Sequence, residues 1–290
     1  MALRSRQQTL AAPISCSGTG VHSGKEATLT IKPAPENHGI RFFRTDLPGT
    51  QGIPALFSRV VDTSLATVIG ENGIIVSTIE HLMASFAGMG IDNARVELDN
   101  YEMPIMDGSA AVFSQKINEA GIIVQMAPRS HFIVTHPIEI ADGDKFVGVY
   151  PDEDFRITCT IEFPNPLIGR QTISILLDDD SFLTKIAPAR TFGFLHEVEF
   201  MKQMGLGRGG SLESAVVVSG DSIINEEGLR FPDEFVRHKL LDCIGDFSLI
   251  GMPIQGHIKT IKSGHLFNHH FITEFFKNRR CWETMTPSES

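Results

Sequence analysis

The chain has 290 residues, 42% apolar and 21% charged, with mean hydropathy near zero, a composition that suits a soluble globular protein of roughly two domains. Its 25 Lys and Arg against 35 Asp and Glu give a net charge of −10. That balance excludes sequence-nonspecific nucleic-acid binding, which needs a basic face, but still allows a few local cations to meet an anionic small substrate. In chain order, the N-terminal segment carries Arg4 and Arg6 but lacks the apolar core of a secretory signal. No later apolar run approaches the roughly 18 residues that cross a bilayer. Strand signals follow at Ala27–Ile31 and Ile40–Phe43. A helix is predicted from about Thr78 to Gly88, with Ser77 and Glu80 at capping-box spacing and Gly88 and Gly90 as its stop. Ala94–Leu98 reads as a strand, Asp107-Gly108 as a turn, and Ser109 as the cap of a helix ending at Ala120.

A boundary is expected at Ala127–Ser130, dividing the chain into units 1–127 and 128–290. Beyond it, Phe132–Ile140, Phe146–Tyr150, Phe155–Phe163 and Thr172–Leu177 alternate with period two, as strands do. Helices are predicted near Ser181–Ile186, Leu195–Met204 and Phe235–Ile250, with strand Ala215–Val218 between the last two. Strand His257–Ile261 and helix Asn268–Phe276 complete the chain. Strands followed by helices in each half indicate an α+β fold. A faint internal echo supports two similar halves: Glu80-His81 and Arg237-His238 each have a glycine seven residues after the histidine. The cysteines Cys16, Cys159, Cys243 and Cys281 form no C-x-x-C pair and read as reduced thiols of a cytoplasmic protein.

Two glycine-rich segments mimic nucleotide motifs and fail on inspection. Gly18 to Glu26 lacks the phosphate-loop spacing and has Glu26 where Ser or Thr must reach magnesium. Gly205 to Gly210 matches G-x-G-x-x-G, but it follows a helix and precedes a strand, the reverse of a dinucleotide fingerprint.

Chemistry concentrates on the helix around His238. His238 and Asp242 are four residues apart, so their side chains share a face, and Asp246 lies one turn further along it. Such a pair can ligate one divalent metal or form an ordinary surface pair. The apolar neighbours Phe235, Val236, Leu240, Leu241, Cys243, Ile244 and Phe247 imply burial, and a buried carboxylate requires a partner or a metal. Catalytic zinc takes three protein ligands and a water, and His81 is the best third candidate. Glu80 beside it is either the capping residue or the base that takes a proton from the metal's water. His265 lies in a Gly-containing turn, Lys262-Ser-Gly-His265, while His269 and His270 read as a solvated helix face.

The stretch Ser77 to Asn93 (Ser-Thr-Ile-Glu-His-Leu-Met-Ala-Ser-Phe-Ala-Gly-Met-Gly-Ile-Asp-Asn) resembles the zinc motif of the UDP-3-O-acyl-N-acetylglucosamine deacetylase family. Pro104 to Ala111, Ala189 to Phe194, Gly209 to Ser211, Asp233 to Asp242 and Lys262 to His265 match that family in order, so the resemblance runs from about Gln8 to Trp282. It implies two α+β domains of similar topology, each a sheet layered with helices, the helices packed between the two sheets, and a small insert in each domain. It implies His81, His238 and Asp242 as ligands of Zn2+, Glu80 as general base and His265 as general acid paired with Asp246. Thr191 would lie near the oxyanion and Lys239 would contact substrate. Phe163 would stack on uracil. The segment 191–218, with Phe192, Phe194, Leu195, Val198, Phe200, Met201 and Val216, would form an apolar passage for an acyl chain.

The implied activity is zinc-dependent hydrolysis of the N-acetyl group of a UDP-linked 3-O-acylated N-acetylglucosamine. This is the committed step of lipid A biosynthesis in Gram-negative bacteria. The expected partner is that substrate alone, with no nucleic acid and no membrane-spanning segment, and the expected state is a cytoplasmic monomer. Two alternatives stand beside it: another zinc amidohydrolase, and a non-catalytic relative that binds nucleotide or lipid.

Overall fold

The computed structural model describes residues 4–287, apart from the side chains of Met201 and Lys202. Residues 1–3 of the N-terminal segment, and the side chain of Met201 in the expected acyl passage, lie outside the described residues.

Alternation builds the first sheet. In Glu26–Pro33 the side chains of Ala27, Leu29 and Ile31 face inward and their neighbours face outward. This strand pairs antiparallel with Ile14–Thr19 and with Ala94–Leu98. Ala94–Leu98 in turn runs parallel to Ile40–Arg44, and Ile53–Pro54 closes the five-stranded sheet. A three-stranded insert follows, made of Val60–Asp62, Val68–Glu71 and Ile74–Val76. Helix α1 (Glu80–Met89) comes before Ala94–Leu98 and helix α2 (Ala111–Ala120) after it. The ribbon Arg6–Leu10 with Ile122–Pro128 then leads into the second half.

The second half centres on Ile254–Ile261, which pairs with Lys145–Tyr150, Phe155–Glu162 and, at its start, His131–Val134. Ile138–Asp142, Arg170–Leu176 and Trp282–Met285 complete a seven-stranded sheet. Its helices are α3 (Asp179–Ser181), α4 (Leu195–Gln203), α5 (Glu234–Ser248) and α6 (His265–Lys277). A second insert places Phe192–Phe194 parallel to Val216–Ser219, with α4 as the crossover. The α+β reading therefore holds, and among the described residues no helix is long and apolar enough to cross a membrane. All four cysteines are free.

Helices α1 and α5 pack against each other, and α5 also lies on α6 and on strands Phe155–Glu162 and Arg170–Leu176. One continuous hydrophobic core includes Leu82 and Phe86 of α1, Val236, Leu240 and Ile244 of α5, and Ile157 and Ile258 of the second sheet. Because α5 is buried on nearly every face, each polar residue it carries needs a partner.

The two echoing glycines both serve close approach. A β-carbon at Gly245 would collide with the carbonyl of Glu80, and one at Gly88 would enter the ring of Phe182. Gly245→Ala should push α5 off the first turn of α1 and lower stability by about 1–3 kcal/mol, the usual cost of overpacking. A thermal melt equal to wild type would show that the helices can separate without loss.

Four local expectations need correction. The capping box at Ser77 and Glu80 does not form: Thr78 has φ of +64°, α1 starts at Glu80 behind Ile79, and no side chain caps it. Ser109 is not the N-cap of α2, which is Ala110, although its hydroxyl still accepts the Ala111 N–H at 3.1 Å. The predicted strand Phe132–Ile140 is two strands, broken at Thr135-His136-Pro137, because proline has no N–H for the ladder. The helix expected at Ser181–Ile186 is the single turn α3, capped by Asp178, running into a π-helical turn at Phe182–Ile186.

Candidate active site

The four-residue spacing on α5 carries through to the site. His238, Asp242 and Asp246 follow one another along one helix face, and all three are buried. His81 reaches the same point from the first turn of α1, which the Gly245 contact brings alongside α5. One potential ligand atom from each of His81, His238 and Asp242 lies within 4.8 Å of the other two. Asp242 Oδ1 is 3.3 Å from His238 Nε2 and 3.6 Å from His81 Nε2. The two imidazoles meet edge-on, 5.0 Å apart.

This set fits a divalent metal by its protonation. His238 Nδ1 sits 3.1 Å from the carbonyl oxygen of Ala189 and can only donate there, which leaves the Nε2 lone pair toward Asp242. Burial, outweighing the pull of Asp242, pushes the His238 pKa down to about 4, so the ring is neutral at neutral pH. Burial opposes charge on Asp242 too, but His238 and Lys239 hold its carboxyl well below the usual range. Lys239 donates to Asp242 Oδ2 at 2.7 Å, leaving Oδ1 as the oxygen that faces both rings. Burial works against the Lys239 charge, yet Asp242 holds its pKa above the ordinary value. Held by two imidazoles and one carboxylate oxygen, a metal ion would keep a position for water.

Groups of opposite use flank the metal set. Glu80 is buried, and burial raises its pKa despite His265 and His81 nearby. Its Oε2 accepts the N–H of Thr67 at 3.0 Å, so the carboxylate is held by the first insert and not by a cap. His265 donates from Nδ1 to Asp246 Oδ2 at 2.8 Å. Burial lowers the His265 pKa, but Asp246, together with Glu80 and Asp242, more than offsets it, and the ring is pushed up to about 9. Asp246 also accepts from Thr67 Oγ1 at 2.6 Å and Asn268 Nδ2 at 2.8 Å. Thr67 therefore touches both the carboxylate beside the metal set and the partner of His265.

The remaining predicted residues fall around this centre. Thr191 is half-buried, two residues beyond Ala189, and donates its N–H to Gly108 O at 2.7 Å. Gly108 is confined to glycine there: its φ is +78° and a β-carbon would strike Ser214 O. Phe192 lies 5.6 Å from Phe163 and 6.4 Å from the His238 ring, and Phe194 lies 6.0 Å from Phe163. The three rings form one half-buried aromatic wall beside the metal set. Two corrections apply. His265 is the first residue of α6, not part of a turn. His269 is half-buried: it lines a tight crevice with Thr67, Asp246 and His265, and its Nδ1 is buried without a partner. His270 stays exposed as expected. Of the residues the sequence did not single out, Asn268 lies one turn after His265 and was within reach of spacing, whereas no local pattern marks Thr67.

Three buried side chains able to hold a metal ion, beside a carboxylate and an imidazole, are the arrangement that metal-assisted hydrolysis calls for. The profile of the LpxC family, UDP-3-O-acyl N-acetylglycosamine deacetylase, matches residues 7–277. A UDP-3-O-acyl-N-acetylglucosamine deacetylase of Myxococcus xanthus is 53% identical over 96% of this chain and 88% of its own. Proteins of the same name from Syntrophotalea carbinolica and Geotalea uraniireducens are 46% and 49% identical, each over 98% of this chain and over 92% and 93% of their own lengths. The chain belongs to the UDP-3-O-acyl-N-acetylglucosamine deacetylase family.

Proposed function

We propose that this chain hydrolyses the N-acetyl amide of a UDP-3-O-acyl-N-acetylglucosamine, releasing acetate and the free amine, with zinc held by His81, His238 and Asp242. It would thereby carry out the committed step of lipid A biosynthesis, as a cytoplasmic monomer with a division near residues 127 and 128. The observation that carries the reading is the meeting of that ligand set with Glu80 and His265 in a chain of this family.

When bound, zinc would acidify a water and polarise the amide carbonyl. Glu80 takes the proton of the attacking water, and its raised pKa suits a base that works near neutral pH. His265, bonded through Nδ1 to Asp246, presents Nε2–H to the leaving amine and protonates it. The Thr191 hydroxyl donates to the developing oxyanion, and Lys239 contacts the anionic substrate. Phe163 stacks on the uracil, while Phe192, Phe194 and the second insert line the passage of the 3-O-acyl chain. That insert is also an ordinary βαβ unit, and the two descriptions are compatible.

The test is acetate release from the acylated UDP-sugar, lost on chelation and restored by zinc. Equal activity on the non-acylated sugar would instead favour another amidohydrolase.

A pH dependence follows from the two flanking groups. The base must be deprotonated, so kcat/KM rises as pH climbs through the raised pKa of Glu80. The acid must be protonated, so the rate falls as pH climbs through that of His265, about 9. Asp246→Asn should move the alkaline limb to lower pH by removing the charge that favours imidazolium. An alkaline limb unmoved in that variant would refute His265 as the acid.

The acyl passage predicts chain-length selectivity. Ala215→Trp, at the foot of the returning strand Val216–Ser219, should penalise long 3-O-acyl groups over short ones. Each excluded methylene is worth about 0.8 kcal/mol, so several cost orders of magnitude in kcat/KM. Equal loss on both substrates, with zinc content and melting temperature unchanged, would leave the insert as packing alone.

A further inference from the structure

We infer that Glu234 is a positioning residue for the metal site: it holds the Ala189–Arg190 peptide group in the orientation that fixes His238. The inference rests on the metal reading of His81, His238 and Asp242.

The four-residue series on α5 begins one turn earlier than the ligands. Glu234, His238, Asp242 and Asp246 share a face, and Glu234 has no exposed surface. Its Oε1 accepts the backbone N–H of Arg190 at 2.9 Å. The carbonyl of the same peptide group, on Ala189, accepts the Nδ1–H of His238 at 3.1 Å. One peptide plane is thus gripped at both ends by side chains four apart on one helix. Its N–H end cannot swing without taking the carbonyl off His238, because the peptide group is rigid. The carbonyl in turn selects the His238 tautomer that offers Nε2 to a metal.

The grip itself is over-determined. Glu234 also accepts from Arg190 Nε at 3.0 Å, Arg190 Nη2 at 3.3 Å and the Arg230 N–H at 2.6 Å. The Arg190 side chain is buried, and its remaining donors go to Gly228 O at 2.7 Å and Glu227 at 2.6 Å. A buried ion pair is poor evidence for stability, since apolar residues of similar volume often replace it without loss. Orientation of the peptide is a use that apolar residues cannot supply. The next peptide is gripped from the other half of the chain, where Gly108 O accepts the Thr191 N–H at 2.7 Å, so residues 189–191 reach the site already ordered.

The test measures zinc affinity of the metal-stripped full chain by competition with a chromophoric chelator, alongside thermal melts and the visible spectrum of the cobalt-loaded protein. Arg190→Met/Glu234→Leu removes both buried charges and the acceptor for the backbone N–H. It should stay folded, bind zinc about 10–100-fold more weakly, the scale of losing a partner that orients a metal-binding histidine, and show an altered cobalt spectrum. Glu234→Gln retains an amide oxygen for the Arg190 N–H but loses the charge beside Arg190 and sets an NH2 against the Arg190 Nη2 and Arg230 N–H donors, so it should melt lower than wild type yet keep more zinc affinity than the double variant. Glu234→Asp keeps the charge but falls one methylene short, and should also weaken zinc, which keeps the test alive if the double variant does not fold. Wild-type affinity and an unchanged cobalt spectrum in a folded double variant, or in folded Glu234→Asp, would overturn the inference. So would a Glu234→Gln variant as weak as the double. Absence of zinc binding by the unaltered chain would instead remove the metal reading on which it stands.

Discussion

Replacing either His238 or Asp242 with alanine should abolish tight zinc binding and turnover while leaving the chain folded. Each change removes one of the three side chains whose ligand atoms converge within 4.8 Å. The core around α1 and α5 does not depend on them, since Leu82, Phe86, Val236, Leu240 and Ile244 make its apolar contacts. The two variants should differ in stability. His238→Ala leaves the Ala189 carbonyl without its donor, which costs about 1–3 kcal/mol if the group stays dry. Asp242→Ala strips Lys239 of its 2.7 Å partner, and a half-buried ammonium left alone is the more costly defect. Metal content per chain and thermal melts in the metal-free state measure both effects. Full zinc occupancy at unchanged affinity in both variants would remove the proposed site.

What was legible in the sequence was whatever a single element dictates. The i,i+4 spacing of His238 and Asp242 belongs to one helix, so it survives whatever packs around it. The alternation in Glu26–Pro33 likewise names its own buried face. The Ser77–Glu80 spacing misled because it is a local pattern overridden by a tertiary demand. Thr78 adopts φ of +64°, the chain enters α1 without a side-chain cap, and the Glu80 carboxylate is drawn to the Thr67 N–H. His269 misled for a related reason: its polar neighbours suggest solvent, but α6 turns it toward Asp246 and Thr67. Thr67 was illegible, since its role exists only where the first insert meets α1 and α5. The expectation for His81 came from its neighbour Glu80 and from family likeness, not from any spacing to His238.

Glu80→Gln should keep zinc bound and slow the chemical step by about 10²–10⁴-fold, the scale of losing a general base. Glu80 is not one of the three convergent ligands, so affinity should be near that of wild type. The glutamine oxygen can still accept the Thr67 N–H, so the first insert stays anchored and Thr67 keeps its 2.6 Å bond to Asp246. Geometry is therefore preserved while the proton acceptor is lost. Glu80→Ala should lose the same chemistry and also destabilise the chain by roughly 1–3 kcal/mol, because the Thr67 N–H is left buried without an acceptor. That penalty does not come from a helix cap, since none exists at this end of α1. The pH profile provides the independent check. With the base gone, the acid limb of kcat/KM should vanish, and the alkaline limb set by His265 should remain, moved to somewhat lower pH because the Glu80 charge no longer favours the imidazolium. A glutamine variant with near-normal turnover, or one that retains the acid limb, would show that Glu80 only anchors the insert and that the water loses its proton elsewhere.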